Sequence, residues 1–259
     1  MKEAAHEETD ATLVIAHRGA SDRAPENTLA AFRLAWTEKA DGIEGDFHLT
    51  KDRQIVCIHD RTTKRTTGEQ WHVESSSLAE LRRLDAGSWK DVKWKDEKIP
   101  TLAEVIDTVP PGRTAVLELK TGPEIVAVLR RDLRQIARSD VHYLLIAFDE
   151  ATIKECKVEM PSIEAHWLTS FERVGPQSAW QPDAKTIADI VARTGVDGVG
   201  MQDNPAIIDS DFLAQLTANG CPAFHVWTVD SAAEAKTYQR LGAWGVTTNR
   251  PAEIVQAIR

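Results

Sequence analysis

Residues 114–136 read TAVLELKTGPEIVAVLRRDLRQI, and the two halves of this stretch obey different periodicities. Thr114–Leu119 is a short apolar run bounded by polar residues, long enough for a strand and too short for a helix. Gly122 and Pro123 interrupt it, and proline is tolerated in a first helical turn because its missing N–H would have had no partner there. Ile125, Val128, Leu129, Leu133 and Ile136 then recur every three or four residues, which draws one apolar stripe down a helix. The stretch is a strand that feeds a helix with one buried face.

The same unit repeats in both directions. Strands are expected at Thr12–Ala16, Gly42–Leu49, Thr114–Leu119, His142–Ala147, Ile163–Thr169, Val196–Gly200, Ala223–Val229 and Trp244–Thr248, with Gln54–His59 forming a hairpin on the second. Helical patterns cover Asn27–Lys39, Ala151–Val158, Thr186–Thr194, Asp209–Asn219, Ser231–Leu241 and Ala252–Ile258. Ser77 with Glu80, Thr101 with Glu104 and Ser231 with Glu234 have the spacing at which an N-cap hydroxyl and a Glu satisfy each other's backbone donors. Eight strands, nearly all followed by a helix, favour a closed α/β fold, the (β/α)8 TIM barrel, over an open sheet. The polar segment 61–100, with Trp71, Trp89, Trp94 and one short helix around Leu78, Leu81 and Leu84, is expected to be a small insertion after the second strand, lying over the barrel mouth.

A chain of 259 residues, 42% of them hydrophobic, suits one barrel domain spanning 1–259. The 31 Lys and Arg against 40 Asp and Glu give a formal charge of −9, and no basic run offers a nucleic-acid footprint. An acidic protein can still take an anionic substrate if a cation or a local cluster of donors reverses the field at the site, which directs the search toward a metal. Cys57, Cys156 and Cys221 lack metal-site or disulfide spacing and read as buried small hydrophobes. Met1–Thr12 is polar and acidic, and no apolar run reaches membrane-spanning length. The expectation is a cytoplasmic protein, with a removed export signal as the alternative.

Polar chemistry concentrates in the first half. His17, Arg18 and Gly19 follow the first strand, so they fall at the barrel face where active sites are built. Side chains two apart in a strand share a face, which puts Glu44 and Asp46, and by the same rule His48, together. Two such carboxylates repel unless a cation or a shared proton intervenes, and oxygen-only ligands suit Mg²⁺ or Ca²⁺; solvent exposure at a strand end is the rival reading. His59 precedes Asp60, a carboxylate placed to orient the ring. Glu118 sits inside an apolar run, where a carboxylate needs a partner or a metal, and Lys120 shares its face. His166 and His225 read as satisfied core or barrel-wall residues, His6 is expected in a mobile terminus, and His72 and His142 have no evident partners.

The ordered set of His17-Arg18-Gly19, Pro25-Glu26-Asn27-Thr28 with Ala31-Phe32, Glu44-x-Asp46, Leu49-Thr50-Lys51-Asp52, His59-Asp60 and Glu118-Leu119-Lys120 closely resembles the glycerophosphodiester phosphodiesterase family. Weaker echoes follow in Trp227-Thr228-Val229 and in Gly245 to Pro251. The resemblance implies a barrel with a small insertion, and metal-dependent hydrolysis of a small glycerophosphodiester to sn-glycerol 3-phosphate and an alcohol. It implies one divalent cation on Glu44, Asp46 and Glu118, and His17 and His59 as the acid/base pair. Arg18 and Lys120 would hold the phosphate, Glu26 would help order the site, and Trp227 would pack on substrate. Two positions depart from the family pattern: Arg53 stands where glycine is usual, and Asn249 where an acidic residue is usual. The second lies outside the metal set and is expected to affect stability or substrate fit rather than to abolish the chemistry. The alternatives are a lysophospholipid or sphingolipid phosphodiesterase or lyase, with Trp71, Trp89 and Trp94 supplying an apolar groove, and a non-catalytic phosphodiester-binding barrel.

Overall fold

Alternation of inward and outward side chains organises the molecule, whose computed structural model describes residues 12–175 and 177–259. The reading of the N-terminal segment through residue 11, His6 included, lies outside those residues. The strands are β1 (Leu13–His17), β2 (Gly42–Leu49), β3 (Ile55–Cys57), β4 (Thr114–Leu119), β5 (His142–Ala147), β6 (Glu164–Thr169), β7 (Gly198–Gln202), β8 (Phe224–Trp227) and β9 (Gly245–Thr248). Parallel pairing runs β1, β2, β4, β5, β6, β7, β8, β9 and back to β1, so eight strands close into a barrel. This is the TIM-barrel architecture that the alternating pattern predicts. Strand ends differ from the sequence expectation by up to two residues; β7 begins at Gly198 rather than Val196 and runs on to Gln202.

β2 outruns β1. Its pairing with β1 ends at Glu44, and β3 pairs antiparallel with Phe47, His48 and Leu49 beyond that point, covering an edge that would otherwise be bare. That hairpin carries the chain to His59 and into the insertion. The insertion holds two short helices, α2 (Lys64–Thr67) and α3 (Leu78–Leu81), after α1 (Leu29–Thr37), where the sequence suggested one. Val56, Ile58, Val73, Leu81, Leu84, Ala86 and Ile99 form its own small core, with Trp71 and Leu78 packed on it.

The remaining helices are α4 (Leu102–Asp107), α5 (Val126–Ile136), α6 (Glu150–Glu159), α7 (Ala184–Thr194), α8 (Ser210–Ala218), α9 (Ala232–Arg240) and α10 (Pro251–Ile258). Pro123 opens a single 3-10 turn that runs into α5. Ser77 and Thr101 form complete capping boxes with Glu80 and Glu104. At α9 only the serine's half is made, and the Glu234 carboxyl lies beside Asp203. No helix among the described residues is long and apolar enough to cross a membrane.

The main core lies between the barrel wall and the helices, and a second cluster of Ile15, Val116, Leu144, Ile146 and Leu168 fills the interior. His166 and His225 also point inward, fully buried, with their Nδ1 atoms 2.9 Å apart and their rings stacked. Glycine makes room for them: a Cβ on Gly200 would lie 2.4 Å from the His225 ring and 2.5 Å from Leu168. Gly200→Ala therefore overpacks the interior and is expected to cost about 1–3 kcal/mol in urea unfolding; an unchanged midpoint would contradict this packing.

Candidate active site

The chain turns sharply as it leaves β1. Arg18 and Gly19 both have positive φ, 56° and 79°, and a Cβ on Gly19 would meet the Ala31 backbone at 2.5 Å, so only glycine fits there. The turn aims the Arg18 N–H at Glu44 Oε2, 3.0 Å away. The Arg18 guanidinium is held by two carboxylates, with Nη1 3.0 Å from Glu26 and Nε 3.1 Å from Asp46. Glu26 in turn accepts from both terminal nitrogens of Arg65, at 2.7 and 2.8 Å.

Glu44 and Asp46 point inward from β2, and Asp46 is paired in register with Glu118 of β4. One carboxylate oxygen from each of the three lies within 4.8 Å of the others, and all three residues are buried. Asn27 clamps the middle one: its Nδ2 donates to Asp46 Oδ2 at 2.8 Å and its Oδ1 accepts from the Asp46 N–H. Lys120 Nζ lies 2.7 Å from Glu118 and 3.6 Å from Asp46. Even so, Glu44 Oε1 and Asp46 Oδ1 are buried with no hydrogen-bond partner.

Burial and the neighbouring Asp46 and Glu118 push the Glu44 carboxyl well above the usual range. Burial and Asp46 push Glu118 up to about 7. Burial also works against ionised Asp46, but Arg18 and Lys120 outweigh it and hold that group down to about 2. Three carboxyls so close, with two buried oxygens lacking a hydrogen bond, leave a place that a divalent cation with oxygen ligands fits.

Two histidines face the same space. His17 Nδ1 lies 2.8 Å from Asn249 Oδ1, and the Asn249 amide is bonded to Asp230. Burial, and Arg18 after it, lower the His17 pKa to about 4. His59 Nδ1 lies 2.7 Å from Asp60, whose carboxylate is also gripped by Arg65. His48, expected beside the acidic pair, uses Nε2 to bond the His59 carbonyl at 3.0 Å, so it steadies the loop carrying His59.

A cavity of about 310 Å³ brings His17, Arg18, Glu44, His59, Glu118, Lys120 and Trp227 together. Asp46 lies at 0% exposure outside its lining, and Glu26 lies outside it too, behind Arg18. The wall opposite the charges is apolar: Phe148 meets Trp227 edge to face at 5.4 Å, with Ile146 and Leu168 beside them. Phe148 was not singled out from sequence, where nothing but its place just after a strand marked it. Trp71, Trp89 and Trp94 do not line this cavity. A larger groove of about 600 Å³ beside α8 and the end of α9 is mostly apolar, with Arg240 its single charged residue, and shares no lining residue with this cavity.

The sequence model of the Glycerophosphoryl diester phosphodiesterase family matches residues 17–253. A glycerophosphodiester phosphodiesterase of Caldanaerobacter subterraneus is 30% identical over 96% of this chain and 98% of its own length. One from Bacillus subtilis is 30% identical over 93% of this chain and 85% of its own. Among solved structures, an Oleispira antarctica phosphodiesterase in complex with its product sn-glycerol-3-phosphate superimposes with a TM-score of 0.83 at 29% identity, over 96% of this chain and 97% of that one. The match to the family model spans almost the whole described barrel and contains every inward-facing acidic and imidazole group of the cavity, so the chain belongs to the glycerophosphodiester phosphodiesterase family.

Proposed function

We propose that this cavity hydrolyses glycerophosphodiesters to sn-glycerol 3-phosphate and an alcohol, with Glu44, Asp46 and Glu118 holding one divalent cation, Mg²⁺ or Ca²⁺. The observation that carries the reading is the pair of buried carboxylate oxygens on Glu44 and Asp46 that no hydrogen bond reaches, beside two imidazoles and two cationic side chains. When bound, the cation supplies Lewis acidity to a non-bridging phosphate oxygen. All-oxygen ligation favours Mg²⁺ or Ca²⁺ over zinc.

The protein's own groups divide the remaining work. Lys120 and the free edge of Arg18 offset charge on the phosphate, and Glu26 keeps Arg18 in place from behind. His17, kept neutral by its surroundings, takes the proton from the attacking oxygen. His59 gives a proton to the leaving alkoxide, and Asp60 meets the charge on its ring. Phe148 and Trp227 pack against the uncharged part of the substrate and exclude water from that side. The bound product of the Oleispira antarctica neighbour supports glycerol 3-phosphate as a fit for such a site. The tryptophans that would have built a lipid groove lie away from the cavity, which favours a small water-soluble diester.

Excess EDTA is expected to abolish turnover of glycerophosphocholine, with recovery on adding Mg²⁺ or Ca²⁺; turnover indifferent to chelator would remove the metal from the account. Glu44→Gln is expected to raise the melting temperature of the metal-free protein, by relieving repulsion from Asp46 and Glu118, and to erase the stabilisation that added cation gives the parent. A parent melting curve that ignores cation altogether would count against the site. His17→Ala and His59→Ala are each expected to slow turnover by roughly 10²–10⁴-fold, and parent-like rates in both would reject their roles. Glycerophosphocholine should be turned over faster than a long-chain lysophospholipid, and the reverse order would favour the lipid enzyme.

A further inference from the structure

His17 is not oriented by a group near it in sequence. Its Nδ1 meets the side-chain amide of Asn249 across 232 positions, at the seam where β9 closes against β1. Which end of that amide faces the ring is decided one residue further out. Asn249 Nδ2 donates to Asp230 Oδ2 at 2.7 Å, and a carboxylate only accepts. The oxygen end of Asn249 therefore points at His17, and the Ser21 hydroxyl donates to that same oxygen at 2.8 Å. An amide oxygen only accepts as well, so the proton of the neutral ring sits on Nδ1 and the lone pair on Nε2.

We infer that Asp230 and Asn249 are positioning residues that lock His17 into its Nδ1–H tautomer and so make Nε2 the proton-accepting atom of the cavity. The inference rests on the proposed acid/base role of His17. It gives the departure at Asn249 a specific meaning: with a neutral amide in that place, the ring's partner is an uncharged acceptor that fixes the tautomer.

The geometry makes Asp230 the controlling member. Its Oδ1 accepts from Thr248 Oγ1 at 2.9 Å and from the Asn249 backbone N–H at 2.8 Å, so an asparagine there must keep its oxygen on those two donors. Its NH₂ would then oppose the NH₂ of Asn249, which relieves the clash by flipping. The flip presents an N–H donor to His17 Nδ1, forces the proton to Nε2, and removes the base without deleting a side chain. Asn249→Asp added to Asp230→Asn restores an acceptor on His17 and a donor–acceptor pair behind it.

The experiment compares Asp230→Asn with the double variant Asp230→Asn/Asn249→Asp, on glycerophosphocholine and by ring ¹⁵N spectra of histidine-labelled protein. The His17 signals are assigned among the eight histidines by their loss in His17→Ala. The expected result is a kcat roughly 10²-fold or more lower in Asp230→Asn with little change in KM, and a ring protonated on Nε2. The double variant should return kcat to within about tenfold of the parent, with the ring again protonated on Nδ1. A parent-like kcat in Asp230→Asn overturns the inference. So does a double variant no faster than the single one, or a tautomer that stays the same in all three proteins. If His17→Ala itself turns over at the parent rate, the acid/base reading of the site has failed; if His17→Ala is slow and Asp230→Asn is not, only the positioning role has.

Discussion

Glu44, Asp46 and Glu118 are forced onto one another by strand geometry: two side chains of β2 that share its inward face, and a third from β4 paired in register with the second. Nothing in the strands themselves compensates for that. A buried charge stripped of its partner costs roughly 3–5 kcal/mol, and here the surroundings supply Arg18, Lys120 and Asn27 yet still leave two oxygens without a hydrogen bond. The rest of the upper rim can be understood as the apparatus that holds this arrangement. The strained turn after β1 brings an N–H to Glu44, and the ion-pair chain from Asp60 through Arg65 and Glu26 to Arg18 ties the insertion to the same point.

That chain links fold to chemistry. Arg65 is supplied by α2, in the insertion, and bridges the carboxylate that orients His59 to the one that orients Arg18. The insertion therefore positions groups at the cavity from its side, through charged contacts, while Trp71 packs on its own small core. On the opposite side the closure of β9 on β1 brings Asn249 to His17, so each imidazole has its own positioning partner from a different part of the barrel. One partner is a carboxylate, which suits a ring that enters the proposed reaction protonated, and the other an amide, which suits a ring that enters it neutral.

Much of this was legible in the chain because strand parity is a local property. The spacing of Glu44 and Asp46, and the expense of Glu118 within an apolar run, needed no tertiary information to point to a common face. What stayed hidden depends on closure. Asn249 looked like a remote departure from a pattern because the contact that explains it joins the two ends of the barrel. Asn27 stood inside a recognisable motif, yet its double bond to Asp46 depends on the folding of the loop after β1. The cap at Ser231 is also only half made, and Asp203, just beyond β7, lies beside the Glu234 carboxyl, a neighbour that no local spacing reveals.

The proposed chemistry requires a divalent ion at the three carboxylates. Crystals grown with Mn²⁺, whose preference for oxygen ligands follows that of Mg²⁺, would yield an anomalous difference map that locates the ion directly. A single strong peak within coordinating distance of Glu44, Asp46 and Glu118 is the predicted result. A map with no peak there, in crystals where the three carboxylates still converge, would contradict it.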